Sequence, residues 1–203
     1  MKKYLKNLKI LTDSHVYNKN MEHDACGVGL IASTEGKKTR KVVEYGINAL
    51  KAVFHRGAVD ADGKTGDGAG IHLEIPSDFF AEKIELTGHR HDHSEICVGM
   101  IFLPRNNYEA QENARTLVES ELTKSNFSIY GWRQVPVNTK VLGEKANFTR
   151  PEITQVLFKN NNKNLIGKEL ERKLYESRRK IEKESIKSAI EGFYICSLSS
   201  KSI

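Results

Sequence analysis

The residue best placed to do chemistry in this sequence is Cys26, one of three cysteines that lie far apart along the chain. The other two, Cys97 and Cys196, fall within apolar stretches, and the three contain no CxxC pair and make no disulfide framework. A cysteine becomes a nucleophile when a nearby base or positive charge favours its thiolate. No histidine or carboxylate lies at a spacing from Cys26 that identifies such a base.

Proteolytic processing would supply a base beside this thiol. If the bond between Ala25 and Cys26 is cut, the new α-amino group lies next to the sulfur, and its ordinary pKa of about 7.7 to 8.0 suits proton transfer at neutral pH. Gly27 and Gly29 leave space for a substrate to approach. The residues alone keep a second interpretation open, in which Cys26 is a buried core thiol, because free cysteine is among the most buried residue types.

Two further groups of polar residues could assist chemistry. Arg56 follows a predicted helix in the triplet His55-Arg56-Gly57, and it either supports a site or compensates the dipole at the helix end. Asp67 lies in a loop that has four glycines between residues 63 and 70. This loop lacks the GxxxxGK[ST] order of a phosphate-binding loop, so the alternative to a site is a tight turn that packs against a strand.

A run of alternating histidines, His89, His91 and His93, accompanies Asp92. Alternate residues of a strand share one face, where they could bind a metal ion. Because the run follows Gly88, a solvated loop is the favoured prediction, and we expect no metal site.

Hydrophobic periodicity predicts the elements that must position these residues. Residues 1–25 are polar and weakly patterned, which indicates a leader, and the domain is predicted to span residues 26–203. A short apolar strand is predicted to begin at Cys26 and to end at Ala32. A helix is predicted over residues 38–54, with Thr39 as its N-cap.

The remaining pattern predicts several strands and three more helices. The strands are expected at residues 71–75, 96–103, 128–135, 154–158 and 193–198, and the helices at residues 77–86, 108–124 and 168–190. Several strands lack a helix long enough for a parallel crossover, so we expect an α+β fold with a mixed or antiparallel sheet. Tyr130 and Trp132 alternate within one strand and are predicted to fill one face of it.

Composition excludes several classes of protein. Apolar residues make up 38% of the chain and aromatic residues 8%, which indicates a globular domain rather than a disordered or fibrous chain. The net charge is +6, but the lysines and arginines of residues 168–187 alternate with glutamates, as on a solvated helix face, so we expect no nucleic-acid partner. No apolar run approaches the roughly 20 residues that span a bilayer, and we expect a cytoplasmic protein without a membrane partner.

Ordered sequence motifs occur along nearly the whole chain. They are DACGVGLIA at residues 24–32, ALKAVFHRGA at 49–58, ADGKTGDGAGI at 61–71, VGMIFLP at 98–104, GWRQVP at 131–136, LG at 142–143 and FYICSLS at 193–199. One short triplet is common by chance, but this ordered set is not. Together the motifs resemble the class II glutamine amidotransferase domain at the start of the large subunit of glutamate synthase.

The resemblance implies a fold and a reaction. The fold is the α+β sandwich of N-terminal-nucleophile hydrolases, with four layers in the order αββα. Residues 1–25 would be a propeptide whose removal exposes Cys26, and the thiol would attack the side-chain amide of glutamine. A thioester at Cys26, release of ammonia and hydrolysis to glutamate would follow. Arg56, Asp67 and Gly27 match motif positions near the site, and we expect them to support it.

The resemblance also implies the chemistry of a complete glutamate synthase. The ammonia would travel to a distant flavin site and combine with 2-oxoglutarate, and reduction would give a second glutamate. Such a parent would use FMN and an iron–sulfur cluster, and commonly a smaller FAD-containing subunit. We expect no cofactor within this chain, and we predict that Cys97 and Cys196 are core thiols because they lack cluster-ligand spacing.

Two motifs that the resemblance implies would lie beyond Ile203. They are an arginine that holds the substrate carboxylate and an Asn-Gly pair that forms the oxyanion hole, so the fold is expected to be incomplete at its C-terminal end. Removal of one oxyanion donor can lower turnover by a factor of about 100 to 1000. We therefore expect the chain alone to be nearly inactive. The alternative is a catalytically dead remnant that keeps part of the fold as an interaction module.

Overall fold

The computed structural model describes residues 6–7, 9–10, 27–54, 57–90 and 95–203. The chain divides into two units, Met1–Gly57 and Ala58–Ile203. In the first unit, helix α1 spans Arg40–Ala52, which confirms the predicted helix with slightly shorter ends. Thr39 takes the N-cap position with extended backbone angles, but its side chain makes no capping hydrogen bond.

The strand that we predicted from Cys26 to Ala32 is wrong for the residues that the structure describes. Residues 27–33 have no regular secondary structure, and the side chains of Val28 and Leu30 are 96% and 89% exposed. A strand forms when its backbone groups pair with a neighbouring strand, and an apolar run does not specify that neighbour. Cys26 itself lies outside the described residues.

The second unit contains an antiparallel sheet and four α-helices among its described residues. The strands are β1 (Ile96–Leu103), β2 (Phe127–Gln134), β3 (Glu152–Asn160) and β4 (Tyr194–Ser199). The helices are α2 (Ser77–Glu85), α3 (Tyr108–Lys124), α4 (Glu144–Thr149) and α5 (Gly167–Lys187), and a 3-10 turn covers Thr139–Val141. The short α4 and the 3-10 turn are absent from the prediction because neither is long enough to show a period.

The strands lie in the order β2-β3-β1-β4, and every neighbouring pair is antiparallel. The two central strands pair along their full lengths, from Ile96 opposite Lys159 to Leu103 opposite Glu152. This arrangement confirms the predicted α+β class and the antiparallel alternative for the sheet.

Alternation along β1 directs apolar side chains into two cores. Cys97, Ile101 and Leu103 belong to a core beneath α3 and α5, together with Leu122 and Leu174 from those helices. Ile96 and Val98, at alternate positions near the start of β1, belong to a second core on the other face of the sheet, where α2 packs. The other members of this core are Ile75, Phe80, Ile84, Tyr130 and Leu157. The sheet is therefore covered on both faces.

Gly99 allows side chains from the two strands beside β1 to meet over it. A Cβ atom at Gly99 would lie 2.7 Å from Cγ1 of Val156 and 2.8 Å from Cδ1 of Leu198. Both neighbouring side chains belong to the core beneath α3 and α5. A larger residue at this position would overpack that core.

The prediction that Tyr130 and Trp132 share a face is wrong. Tyr130 is buried in the core on the α2 side, whereas Trp132 packs on the opposite side and donates a hydrogen bond of 2.6 Å from Nε1 to Oε1 of Glu119 on α3. The pairing of β2 with β3 shifts between Ile129 and Gly131, and a bulge of this kind interrupts alternation. Gly131 has a φ of 152°, a backbone conformation that favours glycine.

The strand predicted at residues 71–75 is reduced to a short pairing. Leu73 and Ile203 exchange backbone hydrogen bonds of 2.8 and 2.9 Å, and the amide of Ile75 donates to the carbonyl of Lys201 at 2.9 Å. Three residues of chain are enough for this bridge but not for a full ladder. The pairing nonetheless holds residues 73–75, directly before α2, against the C-terminal residues 201–203.

Helix α5 has one apolar face and one charged face. Leu170, Leu174 and Ile181 are buried, while its exposed face carries ion pairs such as Arg172–Glu176 and Lys187–Glu184. The predicted solvated face is confirmed. Within the part of the chain that the structure describes, no helix is both long enough and apolar enough to cross a bilayer.

Candidate functional site

The four residues predicted to form the site fall in different parts of the chain. Cys26 and Arg56 lie outside the described residues, so their predicted roles stay predictions. Gly27 is described in the first unit, where it is exposed and no described atom lies within 4 Å of the position that a Cβ atom would take. Asp67 is described in the second unit, within a loop whose geometry is well defined.

The segment of residues 58–70, here called the glycine-rich loop, forms a small hairpin-like turn. Val59 and Gly66 make an antiparallel bridge, and the amide of Asp60 donates to the carbonyl of Thr65 at 2.7 Å. At the tip, the amide of Gly63 donates to the carbonyl of Asp60 at 2.9 Å. Gly63 has a φ of 68°, so glycine at this position relieves backbone strain.

Asp67 closes the base of the glycine-rich loop. The backbone amide of Ala58 donates a hydrogen bond of 2.8 Å to Oδ2 of Asp67. In return, the amide of Asp67 donates to the carbonyl of Ala58 at 3.3 Å. Oδ2 of Asp67 therefore helps to hold the two ends of the loop together.

Asp62 caps the turn at the tip of the glycine-rich loop. Its Oδ1 accepts hydrogen bonds from the amides of Lys64 at 2.9 Å and Thr65 at 2.6 Å, and its Oδ2 accepts from Oγ1 of Thr65. The Thr65 hydroxyl is the largest cause, ahead of the two amides, of a pKa for Asp62 that lies well below its ordinary value. Asp62 therefore stays ionised at any pH near neutrality.

The glycine-rich loop is also tied to the start of α4. Nζ of Lys145 lies 2.8 Å from both carboxylate oxygens of Asp60, across 85 residues of sequence. The amide of Ala146 donates a longer hydrogen bond of 3.4 Å to Oγ1 of Thr65. Sequence reasoning did not identify Asp60, Thr65 or Lys145 as part of one cluster. The sequence signals were the motif at residues 61–71, which contains Thr65, and the short motif at residues 142–143.

Burial raises the pKa of the thiol in both described cysteines. Cys97 is fully buried in the core beneath α3 and α5, and burial raises the pKa of its thiol far above the ordinary value. Cys196 is half-buried in β4, and burial raises its pKa as well. The core-thiol prediction is confirmed for Cys97, while Cys196 lies at the edge of the core.

The histidine run shows no sign of a metal site among the residues that are described. Nδ1 of His89 lies 3.0 Å from Oγ1 of Thr87, and its ring meets the ring of Tyr130 edge-on at 5.8 Å between centroids. His91 and His93 lie outside the described residues. Within the described ranges, no group of three or more histidine, cysteine, aspartate or glutamate side chains could hold a metal ion.

Two surface grooves lie elsewhere in the second unit. One, of about 380 Å³, lies between α3 and α5 and is lined by residues such as Leu117 and Glu184. The other lies beside β4 and is lined by residues such as Arg179 and Tyr194. Neither groove includes Gly27 or Asp67, the two predicted site residues that the structure describes.

Comparison with protein families gives a match over most of the chain. Residues 26–203 match the family described as class-II glutamine amidotransferases. The matched segment begins at Cys26. The match supports the predicted N-terminal-nucleophile α+β fold class.

Comparison with individual proteins finds several glutamate synthases among the relatives of this chain. The chain is 54% identical over 197 residues to the glutamate synthase [NADPH] large chain of Azospirillum brasilense, a stretch that covers 97% of this chain and 13% of that protein. It is 39% identical over 183 residues to the ferredoxin-dependent glutamate synthase 2 of Synechocystis sp., covering 90% of this chain and 11% of that protein. The chloroplastic/mitochondrial ferredoxin-dependent glutamate synthase 1 of Arabidopsis thaliana is 38% identical over 191 residues, a stretch that covers 90% of this chain and 11% of that protein. These similarities confirm the predicted resemblance, and the chain spans about an eighth of the length of such relatives.

Proposed function

This chain belongs to the class-II glutamine amidotransferases, and we propose that it forms the glutamine-hydrolysing part of a glutamate synthase. One observation carries the proposal. The 54% identity to a glutamate synthase large chain extends over 97% of this chain, so the similarity is not confined to a few motifs. The family match that begins at Cys26 supports a mature domain that starts at the same residue.

Cys26 is the proposed nucleophile. Removal of residues 1–25 leaves its α-amino group as the neighbouring base, which takes the thiol proton as sulfur attacks the side-chain amide carbon of glutamine. The tetrahedral intermediate then expels ammonia, with the proton returned to the leaving nitrogen. Water hydrolyses the resulting thioester, which yields glutamate and restores the thiol.

Gly27, Arg56 and Asp67 are proposed to support this chemistry rather than to react. Gly27 leaves open space beside the nucleophile, in keeping with the absence of atoms near its Cβ position in the described unit. Asp67 fixes the glycine-rich loop through its hydrogen bond to the amide of Ala58. Arg56 would supply positive charge near the substrate.

The fate of the ammonia belongs to the whole synthase. We propose that it is used for the reductive amination of 2-oxoglutarate at a flavin site of the parent, which would hold FMN and an iron–sulfur cluster and could act with a smaller FAD-containing subunit. Cys97 does not fit a cluster ligand, because it lies in the core among apolar side chains and no other cysteine belongs to that cluster of described residues. No step of glutamine hydrolysis at Cys26 passes through these groups.

Substitution of the nucleophile tests the proposed function. We expect the complete gene product to release glutamate and ammonia from glutamine, and Cys26→Ala to lower this release to the background rate. Cys196→Ala is the matched control, because it removes a half-buried thiol from β4 and should leave turnover intact. Glutamine hydrolysis that persists at the wild-type rate in Cys26→Ala would remove Cys26 from the mechanism. No hydrolysis by the wild-type gene product would favour a non-catalytic interaction module.

A further inference from the structure

The glycine-rich loop is exposed, yet a short segment that is distant in sequence contacts it. Most of its residues are exposed, and loops of this kind are ordinarily mobile. Here residues 143–146, called the anchor segment, contact the loop through packing, an ion pair and a hydrogen bond. Such external contacts reduce the number of conformations that the loop can adopt.

Gly143 is required for space rather than for backbone freedom. Its φ of −68° and ψ of 164° are open to any residue. A Cβ atom at Gly143, however, would lie 2.2 Å from Oγ1 of Thr65, 2.4 Å from N of Thr65 and 2.5 Å from Oδ2 of Asp62. These atoms make the hydrogen bonds that define the turn, so they cannot move aside without breaking it.

Lys145 adds a second, chemically different contact. Its ammonium group lies 2.8 Å from both oxygens of Asp60, although the Lys145 side chain is 64% exposed. An exposed ion pair contributes little to the stability of a whole domain. Asp60 also accepts a hydrogen bond from the amide of Ala61, so the pair acts on the local conformation at the start of the turn.

We propose that Gly143 and Lys145 are positioning residues for glutamine, which act by holding the glycine-rich loop in the conformation that presents its backbone and Asp67 to the substrate. This inference rests on the proposed function, because it takes glutamine as the ligand that the loop meets. A loop held in its bound conformation before the substrate arrives loses less conformational entropy on binding. The anchor segment therefore lowers the glutamine concentration at which the site fills.

Hydrogen exchange in the complete gene product tests the anchoring alone. We expect the amides of Asp60, Thr65 and Asp67 to exchange about tenfold faster in Gly143→Ala and about threefold faster in Lys145→Gln, because the loop opens more often and an exposed ion pair has the smaller effect. Lys145→Gln changes an exposed side chain, so it keeps the test valid if Gly143→Ala fails to fold. The matched control is Lys140→Gln, which removes an exposed charge from the 3-10 turn. Unchanged exchange in both anchor variants would overturn the inference.

Two electrophiles then separate glutamine positioning from a structural effect. A glutamine-mimicking diazoketone must bind like substrate before it alkylates Cys26, whereas iodoacetamide reports only the reactivity of the thiol. We expect half-maximal labelling to need about tenfold more diazoketone in Gly143→Ala and about threefold more in Lys145→Gln, with iodoacetamide alkylation unchanged and with Lys145→Arg close to wild type.

The outcomes of these two experiments are distinct. Faster loop exchange without a change in diazoketone labelling would overturn the positioning role while leaving the proposed function intact. Faster loop exchange in the anchor variants, together with no diazoketone labelling of Cys26 in the wild-type protein, would overturn the proposed function and the positioning role with it. An equal loss of labelling by both electrophiles would indicate a general disruption and would also overturn the inference.

Discussion

Asp62 shows how single residues set the conformation of the glycine-rich loop. The Thr65 hydroxyl is the largest contribution to the lowered pKa of Asp62, followed by the amides of Thr65 and Lys64. Because the pKa in the folded chain is lowered, these hydrogen bonds stabilise the loop at every pH above the ordinary value of 3.8. The contribution is lost only as the pH falls through the lower, folded value.

We predict that Thr65→Val raises the pKa of Asp62 toward 3.8, because it removes the hydroxyl donor and keeps the side-chain volume. The carboxyl ¹³C shift of Asp62, followed by NMR from pH 6 to pH 2 or so, measures the change. Wild-type Asp62 should stay ionised over most of this range. A wild-type titration with its midpoint at the ordinary value, unchanged in Thr65→Val, would contradict the described geometry.

The residues of the candidate site were only partly open to prediction from sequence. Cys26 is proposed as the nucleophile because ordered motifs surround it, and Asp67 was singled out by the same motifs. Asp60 and Lys145 gave no such signal, because their contact joins residues 85 positions apart in the sequence. Gly143 was quoted only as part of a two-residue motif, since a requirement for space is visible only when the neighbouring loop is known.

At the scale of the elements, the buried face of α5 contributes Leu170, Leu174 and Ile181 to the core of the second unit. We predict that Leu174→Ala lowers the free energy of unfolding by about 2 to 5 kcal/mol, because Leu174 is fully buried and its truncation leaves a cavity. Tyr175→Ala, on the same helix but 61% exposed, should change it by less than about 0.5 kcal/mol. Urea denaturation followed by circular dichroism measures both. Equal effects of the two substitutions would show that α5 does not bury the Leu174 face.

Long periodic elements were predicted well, and irregular ones were not. Apolar periodicity gives α3 at residues 108–124 and β1 at residues 96–103, the bounds that the structure has. The bulge in β2 escaped prediction because it depends on pairing with β3, and it places Tyr130 and Trp132 on opposite faces. The predicted strand at Val28 failed for a related reason, since an apolar run does not specify a pairing partner.

At the scale of the whole molecule, the stretch that is similar to a glutamate synthase large chain covers 97% of this chain but only 13% of that protein. The sequence contains no Asn-Gly pair, the motif that the resemblance assigns to the oxyanion hole. We predict that the isolated 203-residue polypeptide hydrolyses glutamine at least about 100-fold more slowly than a typical enzyme turnover of roughly 10 s⁻¹. A coupled glutamate assay measures the rate, and turnover near the typical value would contradict this expectation.

The central claim is that Cys26 is the nucleophile of an N-terminally processed amidotransferase domain. Peptide mapping by mass spectrometry, after reaction of the complete gene product with a glutamine-mimicking diazoketone, tests both parts of the claim. We predict a labelled tryptic peptide that begins at Cys26 and ends at Lys37. Label on Cys97 or Cys196, with Cys26 unmodified in a peptide that still begins at Asn20, would contradict the account.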